Sequence, residues 1–206
     1  MNPDGLWYLG LSMLKSFSYA LIGLWDALKS ERNFRIQWLC ALMVFLLNGL
    51  VVFEPWQEIT LVLMVFMVLA FELNNSALEK TCDSSGRSFD HGKKRAKDFA
   101  AASVLMAAVG AGTIFLALMQ SKRHMLELLL HHQPWACFYF IVIFLVLLPL
   151  AIRPRKSLVS IVLVSVSALA CGHVLRQIFL HTLFAGLALL FYGALLSAIF
   201  HATEEP

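Results

Sequence analysis

Apolar residues run through this chain in blocks long enough to cross a bilayer, divided by short polar segments. A hydrocarbon core about 30 Å thick needs about 20 mostly apolar residues per helix. Six stretches approach that length: 36–53, 59–79, 99–119, 135–152, 158–174 and 178–200. A polar break, QSKRHMLELLLHHQP, separates the third from the fourth, RPRKS the fourth from the fifth, and LRQ the fifth from the sixth. The segment 6–28 has another pattern: Leu6, Leu9, Met13, Phe17, Leu21, Leu24 and Leu28 recur at helical spacing, while Ser12, Lys15, Ser16 and Asp26 interrupt the remaining positions. That periodicity predicts an amphipathic helix lying in the membrane interface. The expected fold class is an all-α integral membrane protein.

Composition strengthens this reading. Of 206 residues, 60% are hydrophobic and 14% charged, against about 45–50% and about 25% in soluble domains. So much apolar surface needs lipid to hide it, which excludes a soluble globular domain. The net charge of +3 is too small to point to nucleic acid. Cys40, Cys82, Cys137 and Cys171 lie far apart and form no CxxC pair, so neither disulfide nor zinc is expected. The opening MNPDGLWYLG has no basic segment and no small-residue cleavage site, so no removable signal peptide is expected.

Lysine and arginine positions give an orientation. With a cytoplasmic N-terminus, Lys15, Lys29, Arg32, Arg35, Lys80, Arg87, Lys93, Lys94, Arg95, Lys97, Arg153, Arg155 and Lys156 fall inside, whereas Lys122, Arg123 and Arg176 fall outside. The loop FEPWQE carries no Lys or Arg, as an external turn should. Both termini are therefore expected in the cytoplasm of a bacterial-type inner membrane, with Trp38, Trp56 and Trp135 as interfacial anchors near span ends.

Carboxylates inside a span cost about 2.5 to 3.5 kcal/mol each on insertion scales, and the second span alone carries them. After ITLVLMVFMVLAF the chain turns into ELNNSALEKTCD. Glu72, Asn75, Glu79 and Asp83, spaced by three, four and four, form one stripe of a continuous helix. At about 1.5 Å per residue, Glu72 lies one to two turns below the cytoplasmic boundary and Glu79 close to it. Two clusters flank spans on the same side: SERNFRIQ, with Glu31 and Arg35, and KKRAKD, with Lys97 and Asp98. Glu31, Glu79 and Asp98 could hold a divalent cation, Lys97 a phosphate, and Glu72 could take a proton from a lipid alcohol. That is equipment for phosphoryl transfer. On a membrane helix, however, such a stripe is more often a transport pathway or the glue between neighbouring helices, and the residues alone leave the choice open.

Three stretches then match one pattern in order: SFSYALIGLWDALKSERNFRIQ, ELNNSALEKTCD and RAKDFAAASVL. Together they make residues 1–120 resemble the small prokaryotic diacylglycerol kinases, which include the undecaprenol kinases. The resemblance implies an interfacial N-terminal helix and a three-helix kinase bundle, assembled as a homotrimer with active sites between subunits. It implies that Mg²⁺ and ATP are used to phosphorylate a membrane lipid, with Glu72 as the base. Glu31 and Glu79 would be the metal ligands, and Lys97, Asp98 and Tyr19 would serve the nucleotide. Arg35 and Asn75 would serve the lipid substrate. Ser76 replaces the family's usual threonine and keeps its hydroxyl, and Ser12 stands where some members carry arginine. The loop DSSGRSFDHGKKR aligns loosely, which leaves adenine contacts among Ser88, Phe89 and Asp90 open. ERNFRIQ looks closer to the undecaprenol branch, and both diacylglycerol and undecaprenol stay as acceptors.

Residues 121–134 read as a linker and 135–206 as an accessory region of three further transmembrane helices. Fragments of a lipid-phosphatase pattern occur there, at Arg153, His173, Arg176 and His181. They lack the required spacing and the aspartate, so no catalysis is expected of this half. GAGTIF at 110–115 lies within a span with no preceding strand and reads as a small-residue packing face. His131 and His132 are neighbours pointing apart on a helix, so no metal site is expected of them.

Overall fold

The computed structural model describes residues 3–86, 90–132, 134–154, 160, 164–168, 170–171 and 182–201, and among them every regular element is helical. In chain order these are α1 (Pro3–Ser30), α2 (Arg32–Leu50), α3 (Pro55–Ser84), α4 (His91–Ser121), α5 (Arg123–His132), α6 (Pro134–Ile152) and α7 (Thr182–His201). Among the described residues, α2, α3 and α4 are long and apolar enough to cross a membrane. A fourth crossing is counted if Arg123–His132 and Cys137–Ile152, which meet at 94°, form one bent span. About half of the expected stretch 158–174 lies outside the described residues, as do Ser88, Phe89, His173, Arg176 and His181. The sixth expected span falls on α7.

Local chemistry sets the helix ends. At the start of α3 the Glu54 backbone N–H donates to Gln57 Oε1 at 3.0 Å, and Pro55 occupies the first turn, where a missing N–H costs nothing. At the other end of α3, Gly86 has φ +107, the left-handed conformation that stops a helix and that a side chain would resist. Asp90 opens α4 by accepting a hydrogen bond from the Gly92 backbone N–H at 2.8 Å. Between α1 and α2 the helix is interrupted only at Glu31, whose backbone is extended.

The supposed linker is largely helix. Met125, Leu126 and Leu129 recur at helical spacing and pack against Val51, Phe53, Leu61 and Leu118. This anchors α5 where α2, α3 and α4 end on the side away from Glu72.

α2 is the centre of the molecule. Of its apolar window 56% is buried against protein, compared with 28% for α3 and 11% for α4, so α4 packs on α3 and presents most of its surface outside the protein. α6 and α7 cover α2 on the face away from α4, and Phe34, Leu39, Leu42, Phe45 and Leu46 of α2 share one core with Ile143, Leu147, Phe191 and Leu195. The C-terminal helices thus pack on the kinase-like region rather than standing apart from it.

Candidate functional site

The polar stripe of α3 forms as its spacing dictates, and its burial is graded. Glu72 and Asn75 are buried, Glu79 is half-buried and Asp83 is exposed. Asn75 Nδ2 donates to Glu79 Oε1 at 3.1 Å, one helical turn away, and Gln37 Nε2 of α2 donates to Glu72 Oε2 at 2.8 Å. The carboxylates of Glu79 and Glu31 both act electrostatically on Glu72, so the three acids belong to one neighbourhood.

Glu31 stands at the N-cap of α2 but makes no capping hydrogen bond with its side chain. Its carboxylate instead meets Lys80 Nζ at 3.0 Å and accepts from Ser30 Oγ at 3.2 Å. Lys80 Nζ also donates to Ser30 Oγ at 3.2 Å. A cation therefore already sits against Glu31, which is what a carboxylate available to a metal would attract. Among the described residues no group of three or more His, Cys, Asp or Glu side chains has the geometry to hold a metal by itself. Magnesium does not need one, since it is commonly held by one or two carboxylates together with substrate phosphates.

Lys97 is hydrogen-bonded to the Asp83 carboxylate, which ties the first turns of α4 to the last turn of α3. Asp98 and Tyr19 are exposed. Arg35 is buried, and its guanidinium faces carbonyl groups: Nε donates to Ala151 O at 2.8 Å, and Nη1 to Leu28 O at 3.4 Å and to Lys29 O. It thus joins the end of α1 to the end of α6.

Towards the N-terminal end of α3 from Glu72, an apolar cleft of about 310 Å³ opens between α2, α3 and α4. On α3 its walls include Val65, Val68 and Leu69, positions i−7, i−4 and i−3 from Glu72, so the apolar wall and the carboxylate share one helix face. On α4 the wall is made of Ala108, Ala111, Gly112 and Phe115, small residues that leave room between helices. Gln37 lies at the polar end of the cleft. Sequence reasoning missed Gln37 and Lys80. The available signal for Gln37 was an amide inside an apolar span that holds one other, Asn48, placed at i−3, i−4 and i−7 from Cys40, Ala41 and Val44.

Comparison with known proteins bears on this geometry. The family profile described as prokaryotic diacylglycerol kinase matches residues 18–119, which end where α4 ends. A diacylglycerol kinase of Synechocystis is 37% identical over 106 residues, 51% of this chain and 61% of that protein. An undecaprenol kinase of Bacillus subtilis is 32% identical over 108 residues, 52% of this chain and 88% of that protein. A diacylglycerol kinase of Haemophilus influenzae is 32% identical over 103 residues, 50% of this chain and 87% of that protein. The chain spans about three fifths of the Synechocystis relative's length. No solved structure matches the chain.

Proposed function

This chain belongs to the prokaryotic diacylglycerol kinase family, and on that premise we propose that it moves the γ-phosphoryl group of ATP onto the hydroxyl of a membrane lipid alcohol, diacylglycerol in the first instance. The observation that carries the reading is a buried carboxylate, Glu72, hydrogen-bonded to Gln37, the side-chain amide that lines an otherwise apolar cleft. A hydrocarbon chain entering sideways from the bilayer occupies such a cleft and brings its hydroxyl to Glu72. A membrane-borne alcohol gives an acid at that depth a proton to accept.

In the transfer, the lipid oxygen attacks the γ-phosphorus, the bond to the β,γ-bridging oxygen breaks, and ADP leaves. Glu72 accepts the hydroxyl proton, so that an alkoxide never has to form free. Asn75 orients Glu79 through its amide, and Lys97 neutralises phosphate charge once nucleotide draws it from Asp83. Glu31 and Glu79 would hold Mg²⁺, which supplies charge neutralisation across the β- and γ-phosphates when bound with ATP. Asp98 and Tyr19, on the exposed cytoplasmic side, serve the nucleotide.

The chain sits in the inner membrane with both termini cytoplasmic, α1 lying at the interface. Residues 135–206 act as an accessory bundle on α2. The homotrimer implied by the resemblance would use the largely uncovered surface of α4 or α3. Likeness to the Bacillus undecaprenol kinase, covering 88% of that protein, favours undecaprenol as the second acceptor to consider.

The test is an assay of purified full-length protein in lipid. ATP consumption must require both Mg²⁺ and a lipid alcohol, and diacylglycerol is compared directly with undecaprenol. Consumption with neither lipid, or flux of ions into liposomes without ATP, would replace this reading with the transporter or structural-bundle alternative.

A further inference from the structure

We propose that Gln37 is a positioning residue for the transfer: its amide holds one oxygen of Glu72 so that the other is aimed at the lipid hydroxyl. This rests on the kinase reading and adds to it a residue that neither the stripe nor the flanking clusters contain. Three observations carry it. Gln37 Nε2 lies 2.8 Å from Glu72 Oε2, and a carboxylate receiving an alcohol's proton can only accept there, which fixes the amide's orientation. Gln37 lines the apolar cleft, and its partner Glu72 is buried one helical turn beyond Leu69, the last α3 residue of the cleft wall. Finally, Gln37 Oε1 is buried with no hydrogen-bond partner.

Each point has a chemical consequence. A carboxylate at the end of a hydrocarbon-lined cleft has few partners to choose between its rotamers. One donor on Oε2 leaves Oε1 as the remaining proton acceptor and prevents the two oxygens from exchanging roles. The unpartnered amide oxygen gives the polar end of the cleft a second acceptor, which a hydroxyl can satisfy and a hydrocarbon cannot. An alcohol head is thereby favoured over an acyl tail in that place.

Two variants test this in the full chain, in mixed micelles with Mg-ATP and diacylglycerol. Gln37→Met keeps length and packing but removes both polar atoms. Its kcat should fall about 10- to 100-fold, as expected for loss of a hydrogen bond to a charged group, while the KM for Mg-ATP stays unchanged. Gln37→Glu should recover much of that loss near neutral pH, because two carboxyls sharing one proton restore a donor to Glu72. It should lose activity at alkaline pH, where the shared proton leaves and the wild type stays active. The carboxylates of Glu79 and Glu31, which also act on Glu72, are present in all three proteins. Wild-type turnover by Gln37→Met would overturn the inference. So would a Gln37→Glu variant as inactive as Gln37→Met at every pH, since the contact would then be mere packing. Absence of lipid phosphorylation by the wild type would instead overturn the kinase reading itself.

Discussion

Trp38 of α2 and Phe191 of α7 stack with ring centroids 4.1 Å apart and planes 16° from parallel, and Trp38 Nε1 donates to the Phe191 carbonyl oxygen at 2.9 Å. Phe45 meets the same phenyl ring edge-on at 5.0 Å. Lipid tails are as apolar as these rings, so exclusion from water does little to hold α7 in place. Packing contacts and the indole hydrogen bond must do it. A double-mutant cycle of Trp38→Leu and Phe191→Leu should therefore give a coupling of about 0.5–1.5 kcal/mol from the ring pair, read from unfolding of the detergent-solubilised protein. Additive losses would mean that α7 is held elsewhere.

Arg35 makes the second tie between the two halves. Its Nε bond to Ala151 O at 2.8 Å and its Nη1 bonds to α1 carbonyls use the planar fork of a guanidinium. A lysine ammonium cannot reach both sides at once. Arg35→Lys should cost about 1.5–3 kcal/mol of stability, the worth of a hydrogen bond from a charged donor. It should leave kcat per folded molecule within about threefold when assayed well below its melting temperature, a range set by about 0.6 kcal/mol of barrier. A variant that melts with the wild type yet fails to turn over would assign Arg35 to the lipid substrate instead.

How much of this was legible in the sequence follows from how local each feature is. The helices and the stripe Glu72, Asn75, Glu79 and Asp83 come from spacing within a continuous segment, and periodicity reads them directly. Gln37 and Lys80 are partners across helices, at 35 positions from Glu72 and beside Glu31; an amide in an apolar span marks Gln37 as unusual, but nothing local names either residue's partner. In the stretch after Gln120, charges and histidines mask the helical spacing of Met125, Leu126 and Leu129, which pack against Phe53 and Leu118. The packing of α6 and α7 on α2 depends on matching two uniformly apolar surfaces. Hydropathy gives no register for that; the ring contacts of Phe191, the bond to Ala151 and the shared core identify it.

Glu72 supports the sharpest test of mechanism. Glu72→Gln preserves the shape of the side chain and can still accept from Gln37, but it cannot take a proton. Loss of a general base costs about 10²- to 10⁴-fold, so lipid phosphorylation should fall by at least that lower figure. Binding of Mg-ATP, measured by calorimetry or nucleotide-analogue fluorescence, should stay within about threefold, because the proposed nucleotide ligands are the more exposed Glu31, Glu79 and Lys97. Normal turnover would remove Glu72 from the role of base.

The pairing of Lys80 with Glu31 at 3.0 Å makes a distinct prediction for the metal. A magnesium ion held by Glu31 competes with that ammonium, so removing Lys80 should make the carboxylate easier to occupy. The Lys80 side chain is 60% exposed and that of Glu31 27%, which places the pair among surface ion pairs worth about 0–1 kcal/mol. Lys80→Met should accordingly lower the Mg²⁺ concentration for half-maximal activity by about two- to fivefold, the range that up to about 1 kcal/mol allows, with kcat nearly unchanged. Raising ionic strength screens the Lys80–Glu31 attraction in the wild type, so the gap between the two proteins should narrow with added salt. A titration of activity against Mg²⁺ at two salt concentrations decides it. An unchanged or increased Mg²⁺ requirement in the variant would mean that Lys80 does not compete for the metal's ligand but helps to hold the phosphates the metal accompanies.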